Sequence, residues 1–264
     1  MTLITLTPFD LALAASLVLL LALLSWRLQL GVERQLLIAA LRSAVQLILI
    51  GFVLKLLFAQ SNPLFIGLLA LLMLSVAGYE VMSRQQRRFT GLWGYGIGAL
   101  SMFLSSFSVA LITLWVILQP APWYTPQYAI PLLGMLLGNT MTGIALSLDN
   151  LTRTAWDKRQ QIEAQLLLGH DAQQAIGSIR RDALRSGLIP IINSMAAAGI
   201  VSLPGMMTGQ ILAGSPPLEA AKYQLLIMFL IASGTGLGSM AAIWSGSKRL
   251  FDERQRLRLD RLTK

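Results

Sequence analysis

The stretch DNLTRTAWDKRQQIEAQLLLGHDAQQAIGSIRRDALRSG, residues 149–187, is a long polar segment inside a chain otherwise suited to a membrane interior. Its apolar residues recur with helical spacing. Trp156 to Leu168 reads as one helix, closed by Gly169 where a left-handed backbone turn costs glycine least. Asp171 reads as the N-cap of a second helix, and Gln174 three residues on completes a capping-box pattern. Ala172, Ala175, Ile176, Ile179 and Ala183 then fall at helical intervals and form one apolar stripe. Arg180, Arg181 and Arg185 crowd the far end, before the chain re-enters the bilayer at Leu188. Such an arm must bury its stripe, and the expected surfaces are lipid headgroups or a partner protein.

Working outward, the composition is 55% hydrophobic and 12% charged, with a mean hydropathy of +0.65. A 264-residue chain of this kind is an integral membrane protein, with its charges confined to the gaps between spans. There is no cysteine, which excludes disulfides, thiolate metal sites and cysteine nucleophiles. The formal charge of +9 does not point to nucleic acid, because the basic residues cluster in alternate loops as membrane topology requires.

The expected fold is an all-α transmembrane bundle of about seven spans, forming a single permease-like domain over residues 1–264. The spans run Phe9–Trp26, Ala39–Phe58, Leu64–Met82, Trp93–Leu118, Ala129–Leu148, Leu188–Leu212 and Tyr223–Trp244. Placing the N-terminus outside puts nineteen of the twenty-one Lys and Arg residues on the inner side, leaving Lys55 and Lys222 outside. The arm at 149–187 and a basic tail at 247–264 are then both cytoplasmic. Trp26, Trp93 and Trp244 fall at inner interfaces, and Trp123 with Tyr124 at an outer one.

Several polar positions invite functional readings. Glu80 lies four residues before Arg84, the favourable order for an ion pair on one helix face, and a structural pair is expected over a membrane carboxylate. Arg42 and Gln46 share a face, as interhelical glue, a headgroup contact or a substrate contact. His170 is expected as an exposed loop residue. On the fifth span Gly134 and Gly138 form a small-residue face for close helix approach, and Asn139, Thr140 and Thr142 place polar groups near mid-membrane. Packing and pathway lining are both open for these three. On the sixth span Pro204-Gly205 should kink or break the helix, freeing carbonyls as transporters do at their sites. Met206 and Met207 supply thioethers suited either to a soft metal or to filling gaps between helices. Gly205 and Gly209 again read as a close-packing face.

No Walker A loop, paired metal-ligand histidines, Gly-x-Ser-x-Gly or dinucleotide fingerprint is found. Transport rather than catalysis is therefore expected, with energy from a partner ATPase or an ion gradient.

Glu163-Ala164-Gln165, Gly169 and Ile179 carry the spacing by which bacterial ABC permeases present a coupling helix, although Arg181 and Asp182 replace its usual Leu-Pro. The run Gly199-Ile-Val-Ser-Leu-Pro-Gly-Met-Met-Thr-Gly209, with Gly214, Pro217, Ala220 and Tyr223-Gln224, resembles the signature of FetB-type iron-export ABC permeases, relatives of plant aluminium-tolerance permeases. Arg42, Gln46-Leu47, Pro131, Gly138-Asn139, Asn150-Leu151, Leu188-Ile189-Pro190 and Ser194 extend the resemblance from the second span to the seventh. It implies a homodimer in the bacterial inner membrane, with two copies of a cytoplasmic ATPase docked on the arm. ATP and Mg would sit on that partner, and this chain would hold no cofactor of its own. Coupling would fall to Glu163, Ala164, Gly169, Asp171, Ile176, Ile179 and Arg181. The pathway would fall to Asn139, Thr140, Thr142, Asn193, Ser194, Ser202, Pro204, Met206 and Met207.

The chain departs from the family pattern at Asn193-Ser194-Met195-Ala196-Ala197, where an acid and a lysine are expected. That departure leaves the metal, and the substrate itself, open. A metal such as iron is the leading expectation and an organic solute such as a nucleotide sugar the alternative. A third reading is a non-transporting scaffold whose basic tail binds acidic lipid or a partner.

Overall fold

Backbone amides inside hydrocarbon have no water to bond, so they close on themselves as helix. The computed structural model describes residues 7–60 and 62–263, and among these it contains helices, turns and isolated bridges but no strand. The all-α expectation holds. Two compact units are present. The first is built on α1 (Pro8–Arg27) and α2 (Glu33–Gln60). Thr7 and Asp10 close a capping box at the start of α1.

The second unit begins at Pro63 and contains the other eight helices but for the last residue of α9. These are α3 (Pro63–Ser83), α4 (Leu92–Leu118), α5 (Pro126–Asp157), α6 (Arg159–Leu167), α7 (Ala172–Ala175), α8 (Gly177–Ala197), α9 (Gly205–Leu212) and α10 (Pro217–Arg249). Two π-helical segments, Phe103–Phe107 and Thr113–Leu118, widen α4. Leu136, Ile144, Leu148 and Leu151 of α5 and Ile243 of α10 are fully buried and make the centre of the core.

Six of the described helices are long and apolar enough to cross a membrane. The expected span Leu188–Leu212 is not one of them, because it is not one helix. Its first part belongs to α8; Ala198 then turns extended and Gly199 takes a φ of +85°. Pro204 kinks nothing: it stands just before α9, a place where a missing amide donor is tolerated. The arm and the tail nevertheless meet, since the Ala172 N–H donates to Gln255 Oε1 at 2.8 Å. With α10 crossing once between them, the broken pair α8–α9 has to make the other crossing.

Close helix approach occurs at a different glycine from the one expected. Nothing would touch a β-carbon on Gly138, and only the terminal methyl of Met73 would meet one on Gly134, at 3.2 Å. Gly205 and Gly209 are likewise open. Contact between α5 and α8 is instead made by Gly143 and Gly187: a β-carbon on Gly187 would lie 2.5 Å from the Gly143 carbonyl oxygen. On the facing side, one on Gly238 of α10 would lie 2.7 Å from both Ser105 Oγ and Thr140 Cγ2.

The helices α5, of 32 residues, and α10, of 33, are each about 48–50 Å long at about 1.5 Å per residue, against a hydrocarbon core of about 30 Å. Both therefore exceed the hydrocarbon core, and at their C-terminal ends α5 leads into the arm and α10 into the tail.

Candidate functional site

The arm differs from its expected outline in two ways. The helix expected over 156–168 is the end of α5, an interruption at Lys158, and then α6 from Arg159. The second arm helix is a single turn, α7, followed after Ile176 by α8, which runs without a break to Ala197. Arm and membrane segment are therefore one rod. Both caps form as read. Gly169 has φ +91°, and the N–H groups of Gly169 and His170 donate to the carbonyls of Leu166 and Gln165, each at 3.1 Å, closing a Schellman turn. Asp171 Oδ1 accepts from the Gln174 N–H at 2.7 Å while Gln174 Oε1 accepts from the Asp171 N–H at 3.2 Å. His170 is exposed in this turn, 3.3 Å from Gln174 Oε1.

The apolar stripe meets neither headgroups nor a partner. Ala175, Ile176, Ile179 and Ala183 are buried in the chain's own core, with Leu151, Ala155 and Ile162 below and Leu250, Phe251 and Leu262 of the tail in the same cluster. Ile176 and Ile179 thus anchor the arm and are not displayed on it. Glu163, Ala164, Gly169, Asp171 and Arg181 remain exposed. So are two residues outside the expected set, Leu167 at 89% and Leu168 at 80% exposure, which top the turn between α6 and α7.

The basic tail is folded onto the bundle. Phe89 and Leu262 form a bridge, the Thr90 N–H donates to Arg261 O at 2.8 Å, and the Thr263 N–H donates to Arg88 O at 2.8 Å. The Gln86 N–H donates to Asp149 Oδ1 at 2.8 Å, and the Arg87 guanidinium stacks 3.9 Å from the Trp156 ring centre. Within the tail the Arg258 guanidinium grips Asp260 through two 2.8 Å bonds and holds its carboxyl down to about 2. Asp252 is held below its usual range by N–H groups of Arg256 and Arg254 and by the Arg256 side chain. Leu250, Phe251, Leu257, Leu259 and Leu262 were the available signal: a tail that only touches headgroups needs no such spacing of apolar residues among its arginines. Glu80 and Arg84 pair as expected, at 3.7 Å.

The pathway candidates separate into two groups. Thr140 is fully buried, and its hydroxyl has no partner among the described residues. Ser105 and Ser106 of α4, Ser147 of α5, and Thr235 and Ser239 of α10 are buried and unpartnered in the same way, and none of these five was expected from sequence. These six buried hydroxyls, spread over α4, α5 and α10, are groups that gain hydrogen bonds when water enters or the helices shift. Asn139, Asn193, Ser194 and Ser202 are exposed on the outside of the chain, and Thr142, Pro204, Met206 and Met207 are half-buried. Asn139 and Thr142 donate to carbonyls of their own helix, at 2.8 and 3.2 Å. Asn139 precedes Gly143 by one turn and Asn193 follows Gly187 by under two, so on antiparallel α5 and α8 both lie on the same side of the crossing point. Among the described residues no three His, Asp or Glu side chains converge as a metal site.

These features define a polytopic α-helical membrane protein that displays a doubly capped arm at one end. Residues 8–251 match the family described as "Uncharacterised protein family (UPF0014)", and the chain belongs to it. It is 41% identical over 239 residues to "UPF0014 membrane protein slr1647" of Synechocystis sp., spanning 89% of this chain and 90% of that one. It is 33% identical over 259 residues to "Probable iron export permease protein FetB" of Escherichia coli, spanning 98% and 97%. With "Protein ALUMINUM SENSITIVE 3" of Arabidopsis thaliana the identity is 34% over 233 residues, spanning 88% and 83%. No solved structure matches the chain. The resemblance to FetB-type permeases is therefore a family relationship.

Proposed function

We propose that the chain is the membrane subunit of an ABC-type exporter in the bacterial inner membrane, working as a homodimer with two copies of a cytoplasmic ATPase. The observation that carries this reading is the arm: two exposed leucines, Leu167 and Leu168, on a turn capped from both sides and joined through α7 and the junction at Ile176 to α8, which runs on into a membrane segment. A rigid apolar tip suits insertion into a groove on a partner, and the rod behind it transmits displacement into the bundle. ATP and Mg belong to the partner. Asn139, Asn193 and Ser194 face outward at membrane depth, where lipid would leave such groups poorly satisfied. A second copy of the chain covering that face supplies partners, and it places the pathway between the two copies.

The similarity to a relative named as an iron export permease supports a metal such as iron as substrate. The outward polar set of amides and hydroxyls, which includes no acid, favours as a second reading a polar organic solute such as a nucleotide sugar. Stimulation of the partner's ATP hydrolysis by iron or by the sugar separates the two. For the assembly itself, the test is co-expression with the ATPase and purification in mild detergent. The wild-type chain is expected to retain the ATPase. The double substitution Leu167→Glu and Leu168→Glu is expected to weaken the complex by at least about thirty-fold, as loss of a central apolar anchor does. Both side chains are exposed in the free subunit, so its elution profile should not change. Undiminished ATPase retention by the double variant would remove the arm from the coupling role.

A further inference from the structure

At the arm end, α4 begins and α10 finishes beside a cavity of about 760 Å³ whose walls include Trp93, Trp244, Ser245, Lys248, Arg249 and Arg254. Trp93 and Trp244 are each about half exposed, at 50% and 53%, and stand at the mouths of two membrane helices. Indoles in that position sit at headgroup depth. Lys248 Nζ lies 3.7 Å from the Trp244 ring centre and the Arg249 guanidinium 4.6 Å from that of Trp93. The lining contains five cations, counting Arg256 and Arg261, against the two carboxylates of Asp252 and Glu253. Asp252 is already taken by Arg256 at 2.8 Å. Arg261 spends one amino group on the carbonyls of Arg249 and Phe251, at 2.8 and 3.1 Å. Arg249 Nε is buried with no partner among the described residues. The pocket thus holds unspent cationic donors between two interfacial tryptophans.

We propose that this pocket binds the phosphate group of an anionic lipid from the leaflet on the arm side, with Lys248, Arg249 and Arg254 as its ligands and the two indoles flanking the acyl–headgroup junction. A free phosphate shares the anion chemistry, but the tryptophans and the position at the ends of two spans select the lipid. Occupancy also bears on the arm. The same tail loop that lines the pocket supplies Gln255, the acceptor for the first N–H of α7.

The test uses the full-length protein in detergent and titrates phosphatidylglycerol, phosphatidylcholine or inorganic phosphate while bound lipid is counted by native mass spectrometry. One phosphatidylglycerol per chain is expected to be retained in preference to phosphatidylcholine. Lys248→Gln with Arg249→Gln should lower its affinity by about thirty-fold, at about fivefold per cation near a charged surface. Arg254→Gln, on an exposed loop with no packing role, should lower it by about fivefold on its own. Lys158→Gln with Arg159→Gln, which removes two charges elsewhere on the arm end, should retain the lipid. Unchanged retention in both pocket variants would overturn the site. Displacement of the lipid by millimolar inorganic phosphate would overturn the lipid assignment in favour of a free-anion site.

Discussion

Gly187→Ala is expected to leave little correctly folded protein. A β-carbon there would fall against Ser147 Oγ and stand 2.5 Å from the Gly143 carbonyl oxygen, where real β-carbons essentially never sit. A flexible side-chain tip could move aside, but a backbone carbonyl in the middle of α5 moves only with its helix. Overpacking of this kind costs about 1–3 kcal/mol in ordinary cores. The upper end applies here, because α5 and α8 must separate and α5 also packs on α10. Gly138→Ala, on the partner helix α5, is the matched control: nothing lies within 4 Å of its β-carbon, and alanine is the better helix former. Size-exclusion profiles and melting temperatures of the two variants in detergent measure the difference. Equal behaviour would mean that the α5–α8 crossing does not sit at Gly143 and Gly187.

Ending the chain after Arg249 is expected to release the arm. The deletion removes Leu250, Phe251 and Leu262, all buried in the cluster that also holds the arm stripe and Phe89, each worth about 1.5–3 kcal/mol as a buried side chain. It also removes the acceptor of the Ala172 N–H and the bonds from the tail to Arg88 and Thr90. Part of that sum is offset by the freedom the tail gains, so the net effect is smaller than the areas alone suggest. The membrane core formed by α5 and α10 keeps its contacts. Limited proteolysis should accordingly cut the truncated chain between Lys158 and Arg185 at protease levels that spare the full-length protein, while the spans survive. An arm equally resistant in both forms would show that the tail is a free polybasic extension after all.

The all-α class, six of the seven expected spans, the Gly169 and Asp171 caps and the Glu80–Arg84 pair were legible in the sequence because each rests on a local rule: apolar run length, capping chemistry or spacing on one helix. The failures share a cause, since they depend on what packs against a residue from far along the chain. Ile176 and Ile179 form a clear stripe, but no periodicity says whether a stripe faces a partner or the chain's own C-terminal leucines. Gly138 and Gly143 lie on one helix, and only the position of α8 decides which of them it touches. Pro204 marked the broken span correctly, but Ala198 and Gly199 end α8 six residues earlier than the proline would require. The unpartnered hydroxyls of Ser105, Ser106, Thr140, Ser147, Thr235 and Ser239 are buried by packing between helices far apart in the chain, and only Thr140 lay close to a motif that drew attention to it.

In the proposed assembly an ATPase on the cytoplasmic side drives this bundle through the tip of the arm. Because the chain has no cysteine, Leu167→Cys gives a single reporter on a residue that is 89% exposed. In intact cells the expected result is labelling by a membrane-permeant maleimide, none by an impermeant one, and protection from the permeant reagent when the ATPase is co-expressed. Labelling by the impermeant reagent would put the arm on the outer side of the membrane, out of reach of any cytoplasmic ATPase.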